Sequence, residues 1–452
     1  MATRETLSAI RFGYGLPVPA PVGDGVDAML GRLVGPDTMM RKWPVAGKAQ
    51  YTTITVGLRA LKQSGKDKND AGVIAKREEL VQQSQLMLQS AAMATFARAI
   101  DSSDGLRERL VTFWADHFSV VAMRKVEGVL PFSMIEDAVR PHLSGSFADM
   151  LLAVSLHPAM LIYLDQSSST GPKSRLGVKQ GKGLNENLAR EMMELHSLGV
   201  GGVYTQTDVT ELARLLTGVT VGPTGEMIFD SRKSEPGPKS VLGKVYSAGG
   251  LEDVRAALRD LSLHRDTGQH LARKLVVHFV SDQPDSDLVA VVAEAYTRSG
   301  GDLMAAYTAL LTHPAAWVEV TQKVRQPFDF IVASLRALDV SGADIQAMGY
   351  QVFRRLVMNV MAAMGQPFKR PAGPNGIAEN AEEWITPQGL AQRITWAMQV
   401  PQKLGPLPDP VTLAQTCLAD RASEDLLWAA ARAEDRAQGV GLVLASAEFN
   451  RR

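Results

Sequence analysis

Carboxylate, amide and arginine side chains are concentrated in one stretch of the sequence, residues 185–214. In a helix that turns about 100° per residue, four of these side chains share an arc of about 100°. They are Asn187, Arg190, Glu191 and Glu194. Carboxylates three residues apart on one helix face can ligate a divalent metal. They can also act as a general acid and a general base when burial separates their pKa values.

A second helix is predicted to follow closely and to carry a similar polar flank. Its apolar face is formed by Val209, Leu212, Ala213 and Leu216. If the two polar faces meet, they form one mixed-charge cluster. The residues predicted to be catalytic are Glu191, Glu194, Asp208, Arg190 and Arg214. Those predicted to bind a ligand, which would be small or anionic, are Asn185, Asn187, Lys182 and Glu211.

A divalent metal is the cofactor that these carboxylates would suit best. The predicted ligands are Glu191, Glu194 and His117, because a carboxylate site commonly needs a histidine to complete its shell. The Glu-x-x-His pair of ferritin-like di-iron proteins is absent here, since Glu194 stands at the third position after Glu191. His196 falls on the apolar side of the helix and is predicted to be a core histidine.

A structural role is the alternative for the same residues. An Arg–Glu network between two helices can hold them in register without any chemistry. The protein would then be a non-catalytic binding or assembly protein. Solvent access separates the two hypotheses, because an enzyme needs these carboxylates at the floor of an open cleft.

The local signals predict two helices joined by a short linker. The first helix is predicted over residues 185–198, with Gly199 at the position of a left-handed cap. Thr205 and Asp208 have the spacing of a capping box that opens the second helix. The glycine-rich linker 199–204 is short, which favours two antiparallel neighbours.

Composition places the chain among ordinary globular proteins. It has 452 residues, of which 45% are hydrophobic and 21% are charged. Lys+Arg and Asp+Glu both number 48, so the formal net charge is zero. That balance argues against a nucleic-acid partner, because a protein that binds nucleic acid needs an excess of basic residues to neutralise the phosphates.

The sequence contains one cysteine, Cys417, and no long apolar run, and both facts limit which sites and locations are possible. A single cysteine excludes an internal disulfide and a cysteine-based zinc site, and its apolar surroundings predict a helix core. No segment has the roughly 18 consecutive apolar residues of a membrane span, and no signal peptide is evident. The expectation is therefore a cytoplasmic protein, with the periplasm as the alternative.

Helical periodicity dominates the chain, and alternating strand patterns are rare. We predict a mainly α fold, a large irregular multi-helix bundle forming a single continuous domain over residues 1–452. One small β-hairpin is predicted near 226–246, with strands at 227–229 and 240–246 around a Pro-Gly-Pro turn. Two long loops are predicted: a basic loop at 166–184 and a Pro/Gly loop at 366–384 that is suited to cover a cleft.

Two segments of the chain resemble each other. Gly145-Ser146-Phe147 precedes His157-Pro158 by the same spacing with which Gly301-Asp302-Leu303 precedes His313-Pro314. Each predicts a helix that opens at Ser or Asp and ends before proline. The two histidines are predicted to have a structural role at helix ends.

The pattern N-E-N-x-A-R-E-x-x-E-L-H-x-L-G-V-x-G-x-Y-T-Q-x-D-V, which starts at Asn185, resembles the signature of a large bacterial family. That family is known only as domain of unknown function 1800. Further segments along the chain support the resemblance; they begin at Arg11, Phe113, His157, Gly237 and Met364. The resemblance covers nearly the whole chain and implies no defined activity.

Two positions depart from the family pattern. Members usually have a His-Asp or His-Glu pair before the Gly-Pro-Lys turn, where this chain has Ser234-Glu235. They often have Asn before the histidine of the Trp-x-x-His segment, where this chain has Asp116. The resemblance also implies an envelope location for many relatives. It implies a possible protein partner from a neighbouring uncharacterised family that resembles sulfatase-like proteins.

Overall fold

Helices form most of the chain, in a computed structural model that describes residues 3–19, 25–64, 69–122, 124, 127–247, 249–319 and 323–452. The mainly α prediction is therefore confirmed. The first helices are α1 (Arg4–Arg11), α2 (Val26–Val34), α3 (Thr38–Lys42), α4 (Lys48–Gln63), α5 (Ala71–Asp101), α6 (Gly105–His117) and α7 (Leu130–Met134). A π-helical turn, Ile135–Val139, extends the last of these into the short 3-10 helix Arg140–His142.

The middle of the chain holds shorter helices and the strands. Its helices are α8 (Phe147–Ser155), α9 (Pro158–Tyr163), α10 (Arg175–Gln180), α11 (Asn187–Glu194), α12 (Gln206–Leu216), α13 (Leu251–Leu263), α14 (Arg265–Phe279), α15 (Ser286–Arg298) and α16 (Leu303–Thr312). Short 3-10 helices lie at Gln166–Ser168 and Pro314–Trp317. The segment predicted as a long loop at 166–184 thus contains a helix, α10, because the Ser174 hydroxyl caps it by accepting from Gly177 N at 3.0 Å.

Short helices also make up the last part of the chain. They are α17 (Pro327–Ala337), α18 (Gly342–Ala347), α19 (Gly349–Phe353), α20 (Asn359–Ala363), α21 (Ala381–Trp384), α22 (Pro387–Gln399), α23 (Pro410–Leu418), α24 (Glu424–Ala431), α25 (Arg436–Ala445) and α26 (Ala447–Asn450). A π-helical segment, Arg354–Met358, joins α19 to α20, and 3-10 turns occupy Pro401–Lys403 and Ala419–Arg421. The Pro/Gly segment 366–380 is free of helix and strand, and Cys417 is buried in α23, as predicted.

The strands form two hairpins where the sequence predicted one. Strand β1 (Val219–Val221) pairs with β2 (Met227–Phe229), and β3 (Lys239–Val241) pairs with β4 (Lys244–Tyr246). The strands predicted at 227–229 and 240–246 therefore belong to different sheets. The tight turn at Leu242 and Gly243, both with positive φ, breaks the second predicted strand into its own hairpin.

The two similar segments pair with each other. Phe147 N donates to Gly301 O at 2.9 Å, and Leu303 N donates to Gly145 O at 3.1 Å. This reciprocal pair places the starts of α8 and α16 side by side. His157 and His313 each accept a backbone hydrogen bond through Nδ1 at the start of the following helix, so their predicted structural role is confirmed.

The buried apolar side chains form two clusters. The first includes Phe113, Trp114 and the apolar faces of α11, α12 and α14, and the second includes Phe328 and the C-terminal helices. Both clusters contribute side chains to a cavity of about 70 Å³, through Ala115 on one side and Phe328 on the other. Polar groups that border both clusters are therefore largely buried and yet lie next to a cavity. That the whole chain forms one domain stays a prediction.

Candidate functional site

The first helix of the signature is shorter than predicted and carries its polar side chains on a half-exposed face. The Arg190 guanidinium lies 3.3 Å from Glu194, 3.4 Å from Glu186 and 2.8 Å from the Gln206 oxygen. Thr210 of α12 donates to Glu186 at 2.7 Å. Helices α11 and α12 are thus joined by a network in which Glu186 and Gln206, rather than Glu191, hold the centre.

The other predicted residues of α12 lie in separate interactions. Arg214 pairs with Glu211 at 2.7 Å. Asp208 closes the capping box with Thr205, as predicted, and also accepts from Leu242 N at 2.8 Å. These groups connect α12 to strand β3 and its turn, so the structure does not gather all six charged residues into one cluster.

The remaining predicted ligand-binding residues lie around the start of α11. The Asn185 side chain accepts from Asn187 N at 2.9 Å, while Asn185 N donates to Ser169 at 3.1 Å. Asn187 and Lys182 are exposed. Burial and the neighbouring Glu194 raise the pKa of Glu191. The catalytic and ligand-binding assignments of these residues stay predictions.

Replacing Arg190 by methionine is expected to lower the free energy of unfolding by no more than about 1 kcal/mol, because its ion pairs are surface pairs. The Arg190 side chain is 38% exposed, and its partners Glu186 and Glu194 are 30% and 27% exposed. Urea unfolding of R190M measures the loss, with R298M as the matched control, since Arg298 also pairs with a glutamate at i,i+4 on the surface. A loss well above about 2 kcal/mol would instead make the network a clamp.

The turn after α11 carries the buried part of the signature. His196 is buried, as predicted, and Gly199 has a φ of +90°. Two histidines from other helices donate to carbonyl groups of this turn. His117 Nε2 contacts His196 O at 3.3 Å, and His270 Nε2 contacts Leu195 O at 3.1 Å.

These contacts bring three histidine rings together. The His117 ring centroid lies 6.1 Å from that of His196 and 6.1 Å from that of His270. Burial is the main cause that lowers the pKa of His196 to about 3 and that of His270 to about 4. It also holds the pKa of His117 well below its ordinary value. All three rings are therefore neutral at pH 7.

Lys274 stands next to this histidine cluster. Its ammonium group donates to His117 Nδ1 at 3.1 Å, which fixes the His117 proton on Nε2, where the carbonyl of His196 accepts it. Burial lowers the pKa of Lys274, against the opposing influence of Asp116 and Glu379. The hydrogen bond to the neutral imidazole of His117 thus orients the Lys274 amine.

Asp116, at the end of α6, is the carboxyl group that shares this region. Its Oδ1 accepts from Ile377 N at 3.0 Å, in the segment between α20 and α21. Gly376, with a φ of +80°, lies so close that a Cβ there would meet the Asp116 carboxylate at 2.5 Å. Burial raises the pKa of Asp116 to about 7, although Lys274 acts to lower it.

Asp116 and Lys274 line one cavity of about 360 Å³, which we call the Lys274 cavity. Helix α14 forms one wall with His270, Arg273 and Lys274. The Pro/Gly segment forms the facing wall with Asn375, Ile377, Glu379 and Asn380. The sequence-based expectation that this segment covers a cleft agrees with that arrangement.

A chain of buried charges supports the far wall of the cavity. Arg109 Nη2 donates to His278 Nε2 at 3.0 Å, and His278 Nδ1 in turn donates to Glu379 at 2.5 Å. Lys323 donates to Glu379 at 2.9 Å and to Asp282 at 2.7 Å. Although burial opposes it, His278 and Lys323 hold the pKa of Glu379 well below its ordinary value. Glu379 is thus a fixed anion, and its position is set from α6, α14 and the 323–325 segment.

Metal ligation receives no support from the arrangement of donors. Within the described ranges, no group of three or more His, Cys, Asp or Glu side chains is placed to hold a metal ion. Lys274 occupies His117 Nδ1, and a carbonyl group occupies its Nε2. The metal assignment of Glu191, Glu194 and His117 therefore stays a prediction from sequence alone.

The sequence reasoning missed most of the residues that line the Lys274 cavity. One usable signal was the spacing of His270, Lys274 and His278 at i, i+4 and i+8 on one helix. Such positions advance by about 40° per step and so share a face. No local pattern could have shown that Glu379, about a hundred residues later, completes that face.

Comparison with known proteins gives a family and nothing more specific. The model of a family described as protein of unknown function (DUF1800) matches residues 9–451. No curated protein and no solved structure matches the chain. In the described part of the chain, none of the helices has both the length and the apolar character that a membrane crossing requires. Since the match spans nearly every residue, the chain belongs to the DUF1800 family.

Proposed function

We propose that this protein is an enzyme that transfers a proton to or from a small anionic substrate bound in the Lys274 cavity. The observation that carries the proposal is that Asp116 and Lys274 line the same cavity, and that each accepts or donates a hydrogen bond that orients it. Ile377 N orients the carboxyl group, and His117 orients the amine. Paired acid and base groups in a concave site are the usual equipment of general acid–base catalysis.

The protonation states of the two groups support this role. A carboxyl group with a pKa of about 7 exists in both forms at neutral pH, so Asp116 can accept a proton and later return it. Lys274 interacts with Asp116 electrostatically. No salt bridge joins the two within the part of the chain that the structure describes, which leaves space for a substrate group. In its ammonium form, Lys274 would stabilise negative charge that develops on the substrate as Asp116 removes a proton.

The carboxyl groups on the walls outnumber the cations, but the cations are the groups that favour an anion as substrate. Arg273 and Lys274 both line the cavity from α14. The carboxylates of Glu379 and Asp282 face the same space, but both already accept from the buried ammonium group of Lys323. A substrate carboxylate or phosphate would therefore find its partners in Arg273 and Lys274.

Ligand-dependent stability tests the proposal directly. We expect at least one of a panel of small anions (phosphate, malonate, pyruvate and benzoate) to raise the melting temperature of the native protein. A ligand at about 100 times its Kd adds about 2.7 kcal/mol of stability. The shift should be absent in Lys274→Met and retained in the exposed control Lys179→Met. No shift with any of these anions, or an equal shift in Lys274→Met, would contradict the proposal.

Competitive labelling with acetic anhydride is expected to show that Lys274 has a reactive amine. Because its pKa is lowered, Lys274 should be acetylated faster near neutral pH than the exposed Lys182, as measured by peptide mass spectrometry across pH. In Asp116→Asn the rate should rise further, since the carboxylate that raises the lysine pKa is gone. The exposed Asp287→Asn is the matched control and should leave the rate unchanged. A Lys274 that labels more slowly than Lys182 in every variant would count against an accessible amine.

A further inference from the structure

Lys369 is a half-buried lysine in the segment between α20 and α21, and it lines a cavity that Asp116 also lines. It is among the few residues other than glycine with a positive φ, 51°. Such a backbone conformation is strained for a residue other than glycine and persists only where its surroundings hold it. The backbone at Lys369 is therefore held by the surrounding fold, which fixes where its side chain begins.

In the described ranges, the Lys369 amine has no hydrogen bond and no ion pair. The two carboxylates in the neighbouring small cavity are already committed: Glu136 to Arg98 at 2.6 Å and Glu108 to Arg140 at 2.5 Å. Asp116 is the carboxyl group that interacts with Lys369 electrostatically. A half-buried cation without a direct partner is less well stabilised than a paired one, and an anion from outside would supply that partner.

Lys369 lies where three spaces meet. It lines the 70 Å³ cavity that also contains Asp116, the small cavity with Glu108, and an open groove of about 620 Å³. The groove, which we call the Lys369 groove, runs between α5, α7 and the Arg354–Met358 segment. Its size is that of a site for a small organic molecule.

The lining of the Lys369 groove combines one sign of charge with apolar surface. Its charged lining residues, among those described, are all cations: Arg124, Arg354, Lys369 and Arg370. Arg124 is paired with Glu127, which leaves the other three to set the potential. The apolar lining comes from Leu88, Pro131, Phe132, Met358, Pro367 and Phe368. Because the whole chain has no net charge, this positive surface is a local feature and not a general one.

We propose that the Lys369 groove binds an amphipathic anion, whose carboxylate or phosphate head lies at Lys369 and whose apolar body lies along Phe132 and Phe368. The head would enter where the fold holds an unpaired ammonium group. The body would cover the partly exposed side chains of Leu88, Met358 and Phe368, with Phe132 buried behind them. This second site differs from the Lys274 cavity and does not depend on any chemistry at Asp116.

Isothermal titration with decanoate, decyl phosphate, decan-1-ol and decyltrimethylammonium tests the proposal, since these probes share a tail and differ in the head. We expect decanoate or decyl phosphate to bind with a Kd below about 1 mM. Lys369→Met should weaken that binding by about tenfold or more, whereas Lys369→Arg should retain it. The alcohol and the cationic probe should bind much more weakly. The exposed-lysine variant Lys179→Met should behave as the native protein.

Several outcomes would overturn the proposal. Decan-1-ol binding as tightly as decanoate would show adventitious apolar binding only. Equal affinities in the native protein and Lys369→Met, with both folded by melting temperature, would remove the lysine from the site. Loss of decanoate binding in Lys274→Met but not in Lys369→Met would place the ligand in the Lys274 cavity, and failure of both anions to bind would reject an anion site.

Discussion

Acidification from about pH 7 to about pH 5 is expected to reduce the free energy of unfolding steeply, because buried histidines are held neutral in the fold. The ordinary histidine pKa is 6.5, whereas burial lowers it to about 3 at His196 and to about 4 at His270 and His278. His117 and His157 are shifted in the same direction. Below pH 6.5 the unfolded chain binds protons that the folded chain does not, so stability falls as the pH falls towards about 4.

The size of the effect follows from the number of groups. Each fully neutral histidine contributes up to about 1.4 kcal/mol per pH unit within this window. Asp116 acts in the opposite direction: its pKa of about 7 makes the folded state bind one extra proton between pH 7 and its ordinary 3.8. The histidines outnumber it, so the net slope remains several kcal/mol per pH unit at most.

Urea unfolding at several pH values between about 7 and 5 measures this slope. Phenylalanine in place of His196 should reduce the slope by up to about 1.4 kcal/mol per pH unit, since one titrating group is removed. Leucine in place of Phe118, which packs on His196 with ring centroids 5.2 Å apart, is the matched control. It should lower stability equally at each pH and leave the slope unchanged. Equal stability of the native protein at both ends of the range would rule out neutral histidines.

Asparagine in place of Asp329 is expected to cost about 3–5 kcal/mol of stability, because it leaves buried arginines without their counter-ion. Asp329 is 2% exposed and forms ion pairs with Arg109 and, at 3.2 Å, with Arg452. Arg325 and Arg393 are also buried and interact with it electrostatically. Although burial opposes it, Arg109 and Arg452 keep the pKa of Asp329 below its ordinary value.

Urea unfolding would measure this loss as a lower midpoint concentration, while the slope of the unfolding free energy against urea concentration stays unchanged. Asp329→Glu keeps the charge and should lose less, which covers the case in which the asparagine variant does not fold. The exposed Asp287→Asn should change stability by no more than about 0.5 kcal/mol. A loss below about 1 kcal/mol in Asp329→Asn would mean that another group neutralises these arginines.

Local patterns in the sequence predicted the elements well and their assembly poorly. The capping box at Thr205 and Asp208, the left-handed Gly199 and the burial of His196 each depend on neighbours within one turn, and all three are present. Helix α11 stops at Glu194 rather than at residue 198, because His196 N and Gly199 N turn back to carbonyl groups of the helix. Periodicity alone could not distinguish such a turn from continued helix.

The candidate site was predicted from charge density, which identified a surface network. Buried acid and base groups with strongly shifted pKa values lie instead around Lys274, and they come from α6, α14 and the segment 366–380. Burial causes those shifts, and burial depends on contacts between distant parts of the chain. The i, i+4, i+8 spacing on α14 was readable in the sequence, but the partners Asp116 and Glu379 were not, since only the tertiary fold brings them there.

The reciprocal hydrogen bonds between residues 145–147 and 301–303 also affect how the chain folds during its synthesis. At about 5–20 residues per second, a ribosome needs roughly 8–30 s to make the segment that separates them. During that interval Phe147, which is fully buried in the finished protein, lacks the neighbour that covers the start of its helix. Pairing across so many residues also slows folding itself, because the loop must close before the contact forms. The nascent chain therefore has a period in which a chaperone would find an apolar helix to bind, whatever the stability of the final fold.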